Sequence, residues 1–332
     1  MRKIDAFAHI LPPSYAQRLE AITAGPGVSD RILGFRPWIH EDPALVDLDA
    51  RWRAIDQFGD YVQVLTLAVP PLDQLGSPDV ARDLARAAND ELAGLVASYP
   101  DRFAGFAAAL PMNDVDAACA ELTRAMGDLG ALGAQLHTNV GGVPLDEPRF
   151  EPLFETVTRL GGALWIHPTR SETWPDYPAE DRSRYGIWWS LGWPYETSVC
   201  MTRLVYSGCF DRHPDLRVIT HHAGAMVPHF AARLASPLED PDRAAIMSGL
   251  RDEPMNYYRR FFADTALFGN AHAVRCAVEF FGPGHVLFGT DMPLGGPTVV
   301  RDAIADIEAL GLPDADTAAI FAGNARTVLK LP

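Results

Sequence analysis

The chain has 332 residues and a mass of 36.2 kDa, enough for about two average domains or for one α/β barrel that uses the whole length. Its 48% hydrophobic content against 21% charged residues supports a large core and excludes wholesale disorder. A net charge of −15 repels phosphate backbones and anionic lipid, so no nucleic acid or membrane is expected as a partner, and a small molecule is.

Short apolar runs alternate with helix-length stretches from one end of the chain to the other. Strands are expected over residues 3–9, 61–69, 103–110, 133–136, 163–167, 217–221, 261–264 and 286–289. Helices are expected over residues 80–98, 115–129, 150–160, 195–207, 271–280 and 299–310. In the first of these, Val80, Leu84, Ala88, Leu92 and Leu95 recur three or four apart and give one apolar face. The alternation predicts a single (β/α)8 barrel domain over residues 1–332; spacing alone also allows an open doubly wound sheet.

Long insertions follow strands one and five. Residues 25–50 carry Phe35, Trp38 and His40, and residues 169–194 (TRSETWPDYPAEDRSRYGIWWSLGWP) are rich in proline and aromatics. Loops after strands lie at the mouth of a barrel, so both read as lids, with an oligomer arm as the alternative. Cys119, Cys200, Cys209 and Cys276 are widely spaced and read as reduced thiols. The N-terminal MRKIDAFAHILPP lacks a signal-peptide core, and no apolar run approaches a membrane span, so a cytoplasmic location is expected.

Four residues stand at or just beyond strand ends: His9, His167, His222 and Asp291. A barrel would gather them into one volume, and imidazoles with a carboxylate are the donors a catalytic divalent ion takes. His222 or Asp291 could then move protons. A single strand-end histidine is more often structural, but four such residues at four strand ends favour a catalytic site.

The segments IDAFAHILP, WIHP, WPYETSV, LVYSGCFDRHPDLRVITHHAGAMVP and VLFGTDMP carry a resemblance that runs from residue 3 to about residue 328. The sequence resembles the aminocarboxymuconate-semialdehyde decarboxylase-like branch of the amidohydrolase superfamily. The resemblance implies a metal-dependent TIM barrel, a homodimer, and non-oxidative decarboxylation of a small aromatic or unsaturated carboxylic acid. Hydrolysis or hydration on the same barrel is the alternative, followed by a metal-free barrel that only binds.

By the same resemblance, His167 and Asp291 match metal ligands, and Asp291 can also relay a proton. His222 matches the catalytic histidine, because HAGAMVP keeps the family's seven-residue frame; His221 should then face the opposite way. The first strand departs from the family's HxH or ExH, since Phe7-Ala8-His9 puts a ring without a lone pair in the first ligand place. His9, His167 and Asp291 should therefore hold one ion, zinc before manganese, more weakly, and Phe7→His should raise its occupancy. Asp5, deeper on the same strand, reads as a structural carboxylate. No lysine lies between Lys3 and Lys330, which excludes the lysine-bridged binuclear centre of other superfamily members.

The expected substrate contacts are His137, Arg170 and Arg184 as carboxylate clamps, Glu196, and Trp188, with Trp174, Trp189 and Trp193 as further walls. Packing, capping or ion pairing is the alternative for each.

Overall fold

The computed structural model describes residues 1–24, 42–236, 245–247 and 249–332. Parallel strands form at β1 (Lys3–Ile10), β2 (Tyr61–Leu67), β3 (Phe103–Phe106, resumed at Ala108–Ala109), β4 (Gly133–His137), β5 (Ala163–His167), β6 (Arg217–Thr220) and β7 (Phe262–Ala263). They pair in chain order, β1 with β2 and β3, and Ala108–Ala109 with β4, β5, β6 and β7. The two sheets are continuous through Ala107, whose N–H donates to Leu65 O at 2.9 Å.

The far edges meet through an eighth segment. Leu287 N donates to Ala263 O at 2.8 Å, Ala6 N to Phe288 O at 2.8 Å, and His9 N to Met292 O at 2.7 Å. Asp291 N returns a bond to Phe7 O at 3.0 Å. The strand expected over residues 286–289 is present only as a bridge from Val286 to Ala263. Its bonds are divided, because Phe288 N turns to Ile320 O at 2.9 Å instead of to a strand. The circuit nevertheless closes, and the fold is a (β/α)8 barrel.

The helices follow the apolar periodicity. Pro78–Ser98 starts with proline in its first turn and buries Ala81, Leu84, Ala85, Ala88 and Leu92. Its Asn89 also reaches the sheet: the side-chain amide donates to Ala109 O at 3.0 Å and accepts from Ala109 N at 2.8 Å. Asp114 and Asn270 accept backbone N–H groups at the starts of Val115–Asp128 and Ala271–Phe281. Gly133 opens β4 because a Cβ there would lie 1.8 Å from Ala163 O. Inside the barrel, Phe7, Trp165, Ile219 and Leu287 share one buried cluster, and Trp165 Nε1 crosses from β5 to Ala6 O at 2.7 Å.

Phe35, Trp38 and His40 of the first insertion lie outside the described residues. From residue 42 onward that insertion forms the short turn Pro43–Leu45 and enters helix Leu48–Ile55. The second insertion folds on itself, with Asp176 accepting from Ser183 Oγ at 2.8 Å and Arg184 N at 3.0 Å. The four cysteines are unbridged, and no helix among the described residues is long and apolar enough to cross a membrane.

Asp5 ties β1, β2 and the eighth segment together. Its carboxylate accepts from Tyr61 OH, from Thr290 Oγ1 and N, and from Phe7 N. Burial pushes its pKa from 3.8 up to about 6 against these donors. The folded state thus takes up the proton more readily than the unfolded one, and the stability Asp5 contributes falls as pH rises from about 4 to about 6. Asparagine cannot ionise, so the Tm deficit of Asp5→Asn relative to wild type is expected to shrink over that interval in paired thermal melts. A deficit that grows with pH would contradict the burial account.

Candidate metal centre

Three histidines reach the carboxyl end of the barrel with the outer ring nitrogen of each already occupied. His9 at the end of β1 has Nδ1 2.9 Å from Thr66 Oγ1, its direct partner in the β1–β2 register. The Thr66 hydroxyl gives its own proton to Ala8 O at 3.3 Å, so it accepts from the imidazole. His167 at the end of β5 donates from Nδ1 to Pro168 O at 2.7 Å. His221, just past β6, donates from Nδ1 to the Asp264 carboxylate at the end of β7. Such outer bonds fix the tautomer and aim the Nε2 lone pairs inward. One ring nitrogen from each of the three lies within 4.8 Å of the other two.

Asp291 enters from the eighth segment. Its Oδ1 is 3.0 Å from His9 Nε2 and 3.2 Å from His221 Nε2, while Oδ2 is 3.8 Å from His222 Nε2. His9 Nε2, His221 Nε2 and Asp291 Oδ1 are buried yet make no aligned hydrogen bond, despite these separations. Donor atoms around a tetrahedral ion with bonds of about 2.0–2.1 Å stand roughly 3.3 Å apart. The spacing, the misalignment and the donor types all fit one divalent ion.

The electrostatics agree. Burial, then the neighbouring imidazoles, holds His167 well below the usual histidine range, and burial lowers His9 as well, so both keep their lone pairs. Burial alone would lower His221 too, but Asp264 and Asp291 outweigh it and raise it to about 10, so without an ion this imidazole is protonated, and a metal would take the place of its inward proton. Asp291 is held well below the carboxylate range by His221 and His9 in spite of burial. Two carboxylates facing one imidazole call for positive charge at this point.

The expected orientation of the histidine pair is corrected. His221 does not face away: it is fully buried and stands with His9 and His167, as well as with Asp291. Ile219, two residues earlier, already belongs to the barrel interior, so strand parity places His221 inward. His222 joins from the next residue only because the backbone turns left-handed over residues 222–225, with φ of 56°, 56°, 72° and 54°. Asp264 Oδ1 anchors this bend by accepting from Ala223 N at 2.9 Å. Phe7, in place of the first family ligand, stacks on His221 at 3.9 Å with the rings 16° apart.

The substrate-contact residues separate into two groups. The His137 ring is 5.4 Å from that of His167. Trp188 is one step removed, packing edge-on at 5.7 Å against Trp193, which itself meets His167 at 5.4 Å. Arg170 and Arg184, the expected clamps, each stand beside a carboxylate: Arg170 pairs with Glu196 at 3.0 Å, and the largely exposed Arg184 lies 3.6 Å from Glu180. The partner of Arg184 belongs to the insertion itself, and that of Arg170 to the helix that follows it. Glu196 also accepts from Asn139 at 3.4 Å, and burial raises its pKa.

Sequence reasoning overlooked Thr66, Asp264 and Phe268. Asp264 ends a predicted strand, which was a usable signal. Phe268 was not marked by any pattern: its ring lies 5.8 Å from His222, 45% exposed, on a backbone with φ of 54°.

A closed parallel barrel with imidazoles and carboxylates gathered at its strand ends is an enzyme scaffold of the TIM-barrel type. The chain belongs to the amidohydrolase family, whose profile matches residues 4–331. It is 30% identical over 301 residues to the 2-amino-3-carboxymuconate-6-semialdehyde decarboxylase of Dictyostelium discoideum, covering 88% of this chain and 81% of that one. Its fold matches the 5-carboxyvanillate decarboxylase of Sphingomonas paucimobilis with a TM-score of 0.86 and 26% identity, over 100% of this chain and 99% of that one. The dihydroxybenzoic acid decarboxylase of Polaromonas sp. JS666, solved with bound manganese and the inhibitor 2-nitroresorcinol, matches with a TM-score of 0.76 and 26% identity. That alignment covers 99% of this chain and 97% of the Polaromonas chain. The chain is thus an amidohydrolase-family enzyme with decarboxylases as relatives.

An ion that binds only the folded state stabilises it by about 2.7 kcal/mol at a hundred times its Kd. Dialysis against a chelator is therefore expected to lower Tm by several degrees, and added manganese or zinc to restore it. An unchanged melting curve in all three conditions would mean the centre takes up no ion.

Proposed function

We propose that this chain catalyses the non-oxidative decarboxylation of a small aromatic or unsaturated carboxylic acid. It would depend on one divalent ion held by His9, His167 and Asp291, with zinc favoured over manganese for the imidazole-rich donor set. The observation that carries the reading is the convergence of inward lone pairs on Asp291 beneath an aromatic-walled mouth. The same reading takes the protein as a cytoplasmic homodimer.

When bound, the ion supplies Lewis acidity towards a substrate oxygen. The reaction breaks one C–C bond: the ring carbon gains a proton, CO₂ leaves, and the electron pair stays with the ring. His222 is placed to handle that proton. It is the least buried histidine of the cluster, with Nδ1 unpartnered by protein and Nε2 facing Asp291 Oδ2. Burial, then the neighbouring His221, brings its pKa down to about 4, so near pH 7 it is neutral. It can accept a proton from an acidic group of the substrate and pass it to the ring carbon, with Asp291 steadying the imidazolium. Trp193 and Phe268 set aromatic rings 5.4 Å from His167 and 5.8 Å from His222, and apolar surface beside a bound carboxylate would disfavour its ionised form and favour its loss as neutral CO₂.

The test is to reconstitute the protein separately with zinc and manganese and offer it a panel of hydroxybenzoates and related acids. A product shorter by one carbon, with CO₂ released, is expected. A product that keeps its carbon and gains water would replace the reading with hydrolysis or hydration, and no turnover of any acid would end it. His222→Asn is expected to lower kcat by about a hundred- to ten-thousand-fold. Phe268→Ala should raise KM about fivefold with little change in kcat, as for the loss of about 1 kcal/mol of ring stacking.

A further inference from the structure

We infer that His221 fills the ligand place left vacant by Phe7, so that the ion is held by three imidazoles, His9, His167 and His221, together with Asp291. His222 is then left outside the ligand set. This rests on the metal-dependent reading above but not on which reaction the site performs.

Three observations carry the assignment. First, His9, His167 and His221 offer ring nitrogens within 4.8 Å of one another; His222 falls only in a second such group, with His221 and Asp291, so His221 is the residue common to both. Each has a dedicated Nδ1 acceptor from a different source: the Thr66 hydroxyl, the Pro168 carbonyl and the Asp264 carboxylate. Metal-bound histidines are held in this way, with the second nitrogen tied off so that the first is aimed. His222 has no such support, since its Nδ1 is unpartnered and its Nε2 is 3.8 Å from the nearer Asp291 oxygen.

Second, Phe7 does not leave a hole. Its ring lies parallel to that of His221 at 3.9 Å and is fully buried, so it backs the imidazole plane while Asp264 sets its rotation. Third, the His221 Nε2–Asp291 Oδ1 separation of 3.2 Å matches the His9 Nε2 separation of 3.0 Å from the same oxygen. The two imidazoles therefore stand equivalently around one point. A chain with this arrangement should bind its ion at full stoichiometry without the first-strand histidine.

The full-length protein, purified without chelator, is analysed by plasma emission and, after cobalt exchange, by visible absorption. Wild type is expected to carry about one ion per chain with an intense visible cobalt band. His221→Ala should lower metal affinity more than tenfold and weaken or shift that band, whereas His222→Ala should retain both the ion and the band. Asp264→Asn is nearly isosteric, with an amide oxygen that can still accept from Ala223 N, and serves if His221→Ala fails to fold. It should weaken affinity by about ten- to a hundredfold, as loss of an orienting carboxylate does. Phe7→His should not raise occupancy above wild type.

Full metal content and an unchanged cobalt spectrum in either His221→Ala or Asp264→Asn would overturn the assignment. So would wild type carrying well under one ion while Phe7→His restores it, or His222→Ala losing the ion while His221→Ala keeps it. A protein that binds metal as described yet releases no CO₂ would leave the ligand set standing and remove only the decarboxylase reading.

Discussion

Asp264 and Asp291 place two carboxylates within reach of a single buried imidazole, and negative charge this far from water persists only where positive charge answers it. That demand organises the mouth of the barrel. Asp264 accepts from Ala223 N and Ala266 N as well as from His221, so the group that orients the imidazole also shapes the bend after β6. Asp291 donates its backbone N–H to Phe7 O, one of the bonds that close the barrel. Closure of the fold and the charge balance of the site therefore depend on the same few residues.

Much of this was legible in the sequence, because barrel strands and amphipathic helices each write a period into the chain. Helix Pro78–Ser98 and strand Ala163–His167 both lie where their apolar patterns place them. The eighth strand was less regular than its apolar run suggests, since apolarity reports burial and Phe288 turned its N–H to Ile320 instead. The candidate site was legible as residue types at strand ends but not as an arrangement. Counting parity back from His222 put His221 on the wrong face, because the alternation rule fails where the backbone becomes left-handed. Ile219 was the better reference. Arg170 and Arg184 had the right chemistry for an acidic ligand, yet no pattern in the chain could show that Glu196 and Glu180 would engage them first.

Those ion pairs have a use of their own. Arg170 also lies over the Trp174 ring at 5.4 Å, so one side chain joins the start of the insertion to Trp174 and to Glu196 on the following helix. With the internal bonds of Asp176, this pre-forms the loop beside Trp193. A wall ordered in advance spares a ligand part of the entropy of ordering it.

Phe268 and Gly295 illustrate how tightly the opposite wall is set. A Cβ at Gly295 would sit 2.3 Å from the Phe268 ring, and Phe268 itself occupies a backbone region that costs non-glycine residues of order 1–3 kcal/mol. Enlarging the glycine would evict the ring and would also strain a backbone held at φ of 86°, so the glycine is fixed by its own conformation and remodelling of this rim for bulkier or slimmer molecules falls to the ring position alone.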